Sequence, residues 1–307
     1  MRRAISLPVS WSVAGKYSAG MKTIARGTWR LIKEKPLGAV GAVIVLILLF
    51  CAAFAPWIAT HPYDQANVRY RLKPPSAQFY LGTDNLGRDL FSRIIYGAQI
   101  SVTVGFGAVG IGTMLATAIG VGSGYFGGKF DVFMQRLVDA WMAFPFLVVL
   151  LSVMAILGPG LFEVILSLGV LSAANSSRII RSAALSAKEN QYVEAARAVG
   201  ASHLRIILRY ILPNVMATII IIATVSLGFA ILAESALSFL GLGVPPPYPS
   251  WGEMLSGSGR SYMHKAPWMA TWPGVAISLA VFGFNMLGDA LRDLLDPRLR
   301  GGRLVRR

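Results

Sequence analysis

Six long apolar runs, separated by charged segments, constrain this 307-residue chain more than any other feature. A helix needs about 20 mostly apolar residues to cross a hydrocarbon core about 30 Å thick. The runs at 37–59, 100–126, 141–157, 161–177, 215–240 and 273–291 meet or approach that length, and 100–126 contains no charged residue. Gly158-Pro159-Gly160 separates the third from the fourth, as a tight turn between antiparallel spans would. Charged residues make up 14% of the chain against about 25% in a soluble domain, and the mean hydropathy is +0.59. The expected fold is therefore all-α, a polytopic membrane protein with six transmembrane helices.

The net charge of +15 is unevenly spread. Segments 1–36, 127–140, 178–214 and 292–307 hold 22 of the 29 Lys and Arg, whereas 60–99 and 241–272 hold seven. The positive-inside rule then puts both termini in the cytoplasm. Trp268 and Trp272, just before the sixth run, suit an interfacial aromatic belt. Nucleic-acid binding needs a basic face on a soluble fold, which this pattern does not offer. Cys51 is the single cysteine, so neither an intramolecular disulfide nor a Cys-rich metal site is expected. Residues 1–36 lack a compact apolar stretch with a cleavage site, so no cleavable signal peptide is expected there.

Nucleotide and catalytic motifs fail on context. Gly105, Gly107 and Gly110 match the dinucleotide fingerprint in spacing but lie in an apolar run, not between a strand and a helix. Around Gly127-Gly128-Lys129-Phe130, Ser123 stands where a phosphate-binding loop has its first glycine, and no Ser or Thr follows the lysine. His61, His203 and His264 fall in separate loops without metal-ligand spacing. An ion-coupled secondary transporter is the competing function, but such proteins place several ionisable groups near the midplane, often in duplicated halves. Here Glu234 is the one acidic residue well inside a run, either an interhelical hydrogen-bonding group or part of a translocation path.

Local patterns add three expectations. Gly120, Gly124 and Gly128, at four-residue spacing, should admit a closely packed neighbouring helix. Asp84 or Thr83 should cap a short helix before the second run, with Leu86, Leu90, Ile94 and Ile95 against apolar surroundings and Asp89, Ser92 and Arg93 turned to water. In 189–213, Tyr192, Ala195, Ala196 and Val199 recur at helical spacing until Gly200 breaks the pattern. Ser202 then caps a second helix carrying Leu204, Ile207, Leu208 and Ile211, which Pro213 should separate from the fifth span. Two short amphipathic helices at a glycine elbow could lie on the membrane or dock a soluble partner.

Glu194-Ala195-Ala196, three residues, Gly200 and then Leu212-Pro213 resemble the cytoplasmic motif of bacterial ABC importer permeases. Tyr210 departs from it, since an isoleucine usually stands two residues before Leu-Pro. Gly82-Thr83-Asp84-Asn85-Leu86-Gly87-Arg88-Asp89 and Glu234-Ser235-Ala236-Leu237-Ser238-Phe239-Leu240-Gly241-Leu242-Gly243, with Ser250-Trp251-Gly252 beyond, resemble the peptide and nickel group. The closest type is the second permease of dipeptide and oligopeptide importers.

That resemblance implies a type I importer permease in a bacterial or archaeal cell membrane. It is a non-catalytic subunit with no cofactor of its own, because ATP is bound by partner subunits. The implied partners are a second homologous permease, two ABC ATPase subunits and an extracytoplasmic substrate-binding protein. Glu194, Ala195, Ala196, Gly200 and Ala201 would form the ATPase-coupling site. The division implied is a cytoplasmic segment 1–36, a first span with extracytoplasmic loop 37–99, a permease core 100–291 holding the coupling loop 189–213, and a basic tail 292–307. Peptides are the leading substrate class, ahead of nickel complexes, glutathione-like thiols and small glycosides.

Overall fold

The computed structural model describes residues 35–295. The expected cytoplasmic segment and basic tail therefore lie almost wholly outside the described residues. Among these, helices make the whole framework and no β-sheet forms. In order they are α1 (Pro36–Ala53), α2 (Ala55–Ile58), α3 (Leu90–Phe126), α4 (Gly128–Met142), α5 (Phe146–Leu157), α6 (Leu161–Lys188), α7 (Gln191–Ala198), α8 (His203–Ile206), α9 (Leu212–Phe239), α10 (Trp251–Leu255), α11 (Gly257–Ser261) and α12 (Trp268–Leu295). Five stretches are long and apolar enough to span a membrane: α1, α3, α6, the unit His203–Phe239 and α12.

The third expected span takes a different form. Instead of one helix over 141–157, α4 and α5 meet at an 83° bend around Pro145. Proline offers no N–H to the preceding turn and its ring clashes with the carbonyl four residues back, so a bend here is local chemistry. α5 has 12 residues, about 18 Å of helix, and is short for a crossing. The fourth span is more substantial than 161–177 suggests, because α6 continues to Lys188 and packs along the length of α3.

Small residues govern that α3–α6 contact. A β-carbon at Gly120 would stand 2.6 Å from the Ser177 carbonyl oxygen, and one at Gly124 would stand 2.9 Å from that of Arg181. Gly112 against Gly169 makes a further close approach. Gly128, expected in the same stripe, has open space instead, because α3 ends at Phe126. α9, α12 and α1 pack on the other side of α3, enclosing Leu227, Ile231, Ala280 and Phe284. The bundle has a capped end, covered by residues 60–89 and 241–266, and an elbow end, where Lys35 pairs with Asp293.

Candidate functional site

At the elbow end, α7 and α8 meet at Gly200, whose φ is +75°. The Ala201 N–H donates to the Ala196 carbonyl at 3.0 Å and the Gly200 N–H to the Arg197 carbonyl at 2.9 Å. This pair of bonds is the Schellman closure that a left-handed residue makes possible. Ser202 caps α8, its hydroxyl accepting from the Arg205 N–H at 3.4 Å. Ala196 is buried, while Glu194, Ala195 and Gly200 face outward.

The buried faces differ from the predicted stripes. Val193, Ala196, Ile206 and Ile211 pack inward, while Val199 is 83% exposed, Leu204 66% and Leu208 55%. The periodicity of α7 allowed either face, and packing into the cluster with Ala187, Ile206 and Ile211 selected Val193. Pro213 does not separate α8 from α9. The chain runs on through a π turn, Ile207–Ile211, in which the Leu212 N–H reaches the Ile207 carbonyl. The wider turn accommodates a proline that would otherwise press on the preceding turn. The Asn214 side chain donates to the Tyr210 carbonyl at 2.6 Å. Tyr210, the departure from the motif, stacks on Tyr192 at 6.3 Å between ring centres and ties the two arms of the elbow together.

Both arms also grip the end of α3. The Tyr125 hydroxyl lies 2.8 Å from His203 Nδ1, and the Arg197 guanidinium sits 5.4 Å from the centre of the Tyr125 ring. Phe126 packs edge-on against Phe130 and tilts toward His203. Sequence reasoning missed this cluster, because His203 and Tyr125 are 78 residues apart and neither belongs to a recognisable motif. Gly127 and Gly128, both at positive φ, then turn the chain into α4. Arg181 of α6 grips Asp131 through two bonds, at 2.6 and 2.5 Å, and Arg178 pairs with Asp139.

Beside this arm a cavity of about 890 Å³ opens between the α4–α5 bend, α6, α9 and the end of α12. Trp141, Phe144, Phe146 and Phe229 supply aromatic surface, and Asn175, Ser172, Thr218 and Ser226 supply polar groups. Its lining reaches Asn214, Arg292 and Leu295 at the elbow end. Glu234 does not line it. That carboxylate is fully buried, accepting from Ser238 Oγ at 2.8 Å on its own helix and more distantly from Ser101 Oγ of α3 at 3.5 Å. A carboxylate in apolar surroundings needs such donors, so the hydrogen-bonding alternative describes its geometry.

The capped end reverses one expectation. Asp89, Ser92 and Arg93 are buried rather than turned to water. Asp89, not Asp84 or Thr83, caps α3, accepting from the Ser92 N–H at 2.9 Å. Asp84 instead closes its own turn, accepting from the N–H groups of Leu86 and Arg88 at 2.8 and 2.9 Å. Arg93 donates to Glu253 at 3.0 Å and to the Tyr63 carbonyl at 3.2 Å, so three distant segments meet at one guanidinium.

Comparison with known proteins bears on what this arrangement serves. Residues 90–301 match the model of the family described as "binding-protein-dependent transport system inner membrane component", and residues 23–75 match the N-terminal transmembrane domain of oligopeptide transport permease C. The dipeptide transport system permease protein DppC of Alkalihalophilus pseudofirmus is 41% identical over 275 residues, which is 90% of each chain. The glutathione transport system permease protein GsiD of Escherichia coli is 41% identical over 276 residues, covering 89% of this chain and 90% of that one. Among solved structures, the MetNI methionine ABC transporter in inward-facing conformations aligns with a TM-score of 0.54 at 18% identity. That alignment covers 66% of this chain and 96% of the other, a likeness of fold.

Proposed function

Because the chain belongs to the family of binding-protein-dependent transport system inner membrane components, and is a permease subunit of an ABC importer in a bacterial membrane, we propose that its cargo is peptides and that it works as one half of a paired channel. The peptide reading is supported by a relative named for dipeptide transport that matches nine-tenths of the chain at 41% identity. In this reading a second, homologous permease closes the open side of the 890 Å³ cavity, so that the path lies between the two chains. Aromatic surface beside asparagine and serine side chains suits a solute with both apolar side chains and amide groups.

The observation that carries the coupling role is the elbow itself. Val199, Leu204 and Leu208 project from the corner and the π turn behind it, exposed and uncovered among the described residues. Seated in a groove of an ATPase subunit, they would bury apolar surface and transmit that subunit's closure. Glu194, Ala195, Ala196, Gly200 and Ala201 shape the corner, with the three alanines and Gly200 keeping it slim. The elbow end, and with it both termini, faces the cytoplasm in this reading, as the 22 to seven division of Lys and Arg supports. A substrate-binding protein docks at the capped end. ATP stays with the two ATPase subunits, whose binding and hydrolysis shift the permease pair between access states by differential affinity.

Affinity purification from native membranes in mild detergent, with mass spectrometry, tests the assembly. A second permease and ATPase subunits should accompany the tagged chain. A solitary protein, even after mild cross-linking, would sink the reading. Uptake of radiolabelled peptides of two to five residues by the reconstituted complex, with glutathione and nickel complexes in parallel, then fixes the cargo.

A further inference from the structure

Resting on that function, we propose that Tyr125 and His203 form the joint through which movement of the elbow reaches the cavity wall, and that both are positioning residues for transport. The Schellman closure at Gly200 links α7 to α8, and Tyr192 of α7 packs on Tyr210 of the π turn that follows. Both arms of the elbow hold the same side chain. His203 of α8 meets the Tyr125 hydroxyl at 2.8 Å, and Arg197 of α7 covers the Tyr125 ring. Tyr125 is 2% exposed, and its hydroxyl emerges against the exposed His203, which is the hydrogen-bond partner it has in the structure.

The position of Tyr125 in the chain makes the contact consequential. Two residues on, Gly127 and Gly128 form a turn with positive φ at both positions, the place where α4 can swing relative to α3. α4 then runs to Trp141 and Met142, which line the cavity, and to the 83° bend. Displacement at Tyr125 is therefore delivered to the start of a lever whose far end is cavity wall. The other connection, from α8 straight into α9, passes through the π turn Ile207–Ile211, a point where helices bend. The side-chain joint bypasses that softer link.

Tyr125→Phe and His203→Phe each remove the hydrogen bond while keeping an aromatic ring in place. The full complex, with partner permease, ATPase subunits and binding protein, is reconstituted in liposomes. Uptake of the labelled peptide panel and ATP hydrolysis are then measured together. The expected result is ATP hydrolysis close to wild type with peptide moved per ATP reduced about fivefold, the worth of one hydrogen bond of about 1 kcal/mol. The double variant should be no worse than either single one, because both remove the same bond. Wild-type peptide-to-ATP ratios in both variants would overturn the joint. So would parallel loss of uptake and hydrolysis in assembled complexes, which marks a merely structural contact. A wild-type complex that imports none of the panel would overturn the peptide reading and the inference with it, whereas the variant comparison bears on the joint alone.

Discussion

At Gly200 the backbone, not the side-chain space, is decisive. Its φ of +75° lies in the left-handed region, yet a β-carbon there would meet nothing within 4 Å. A substituent is thus penalised only through the backbone, by about 1–2 kcal/mol. We expect Gly200→Val to insert normally, as immunoblotting of membranes would register, and to lose uptake. Gly200→Asn, which tolerates this conformation, should keep most of it; equal uptake by the valine variant would remove Gly200 from the coupling site. Arg93 is the converse case. It is buried with Glu253, Tyr63 and Asp84 around it, and its removal leaves Glu253 without its cation and the Tyr63 carbonyl without a donor, while Asp84 keeps Arg88. Arg93→Ala should cost about 1–3 kcal/mol through its lost charged hydrogen bonds, visible as a lowered melting temperature in detergent.

Between elements, the α4 arm depends on charge. Its inner turns meet α6 through Asp131–Arg181 and Asp139–Arg178, pairs that are only partly shielded from water. Such a pair contributes about 1 kcal/mol. Arg181→Asp should loosen the arm and weaken uptake, and the exchanged pair Arg181→Asp with Asp131→Arg should restore both. Cysteine cross-linking between α4 and α6 would report the loosening directly, and failure of the exchange to restore it would assign Arg181 another role. The run at 141–157 was legible as apolar, but not its sharp bend. A helix-breaking proline marks where a bend is allowed, while the packing of α5 against α6 sets its angle.

For the assembly proposed above, the cavity is the feature that a second permease would complete. Thr218, one turn beyond Asn214 in the lining that α9 supplies, is a place where bulk obstructs the path at a distance from the capped end. Thr218→Trp should reduce peptide uptake to background while the chain still co-purifies with its partners. Undiminished uptake in liposomes would move the path to another face of the bundle.

Hydropathy, charge asymmetry and the elbow motif were readable from the residues because each depends on local composition: apolar length, the side on which cations gather, and one glycine in a left-handed cap. The all-helical framework, five of the six expected spans and the corner at Gly200 came from these. Tertiary packing decided what local composition leaves degenerate. It chose Val193 over Tyr192 as the inward face of α7, buried Asp89, Ser92 and Arg93 beneath the cap, and set Glu234 against serines rather than in the cavity. It also joined Tyr125 to His203 across 78 residues. A helical stripe states that one face will be buried; only the surface that comes to meet it determines which.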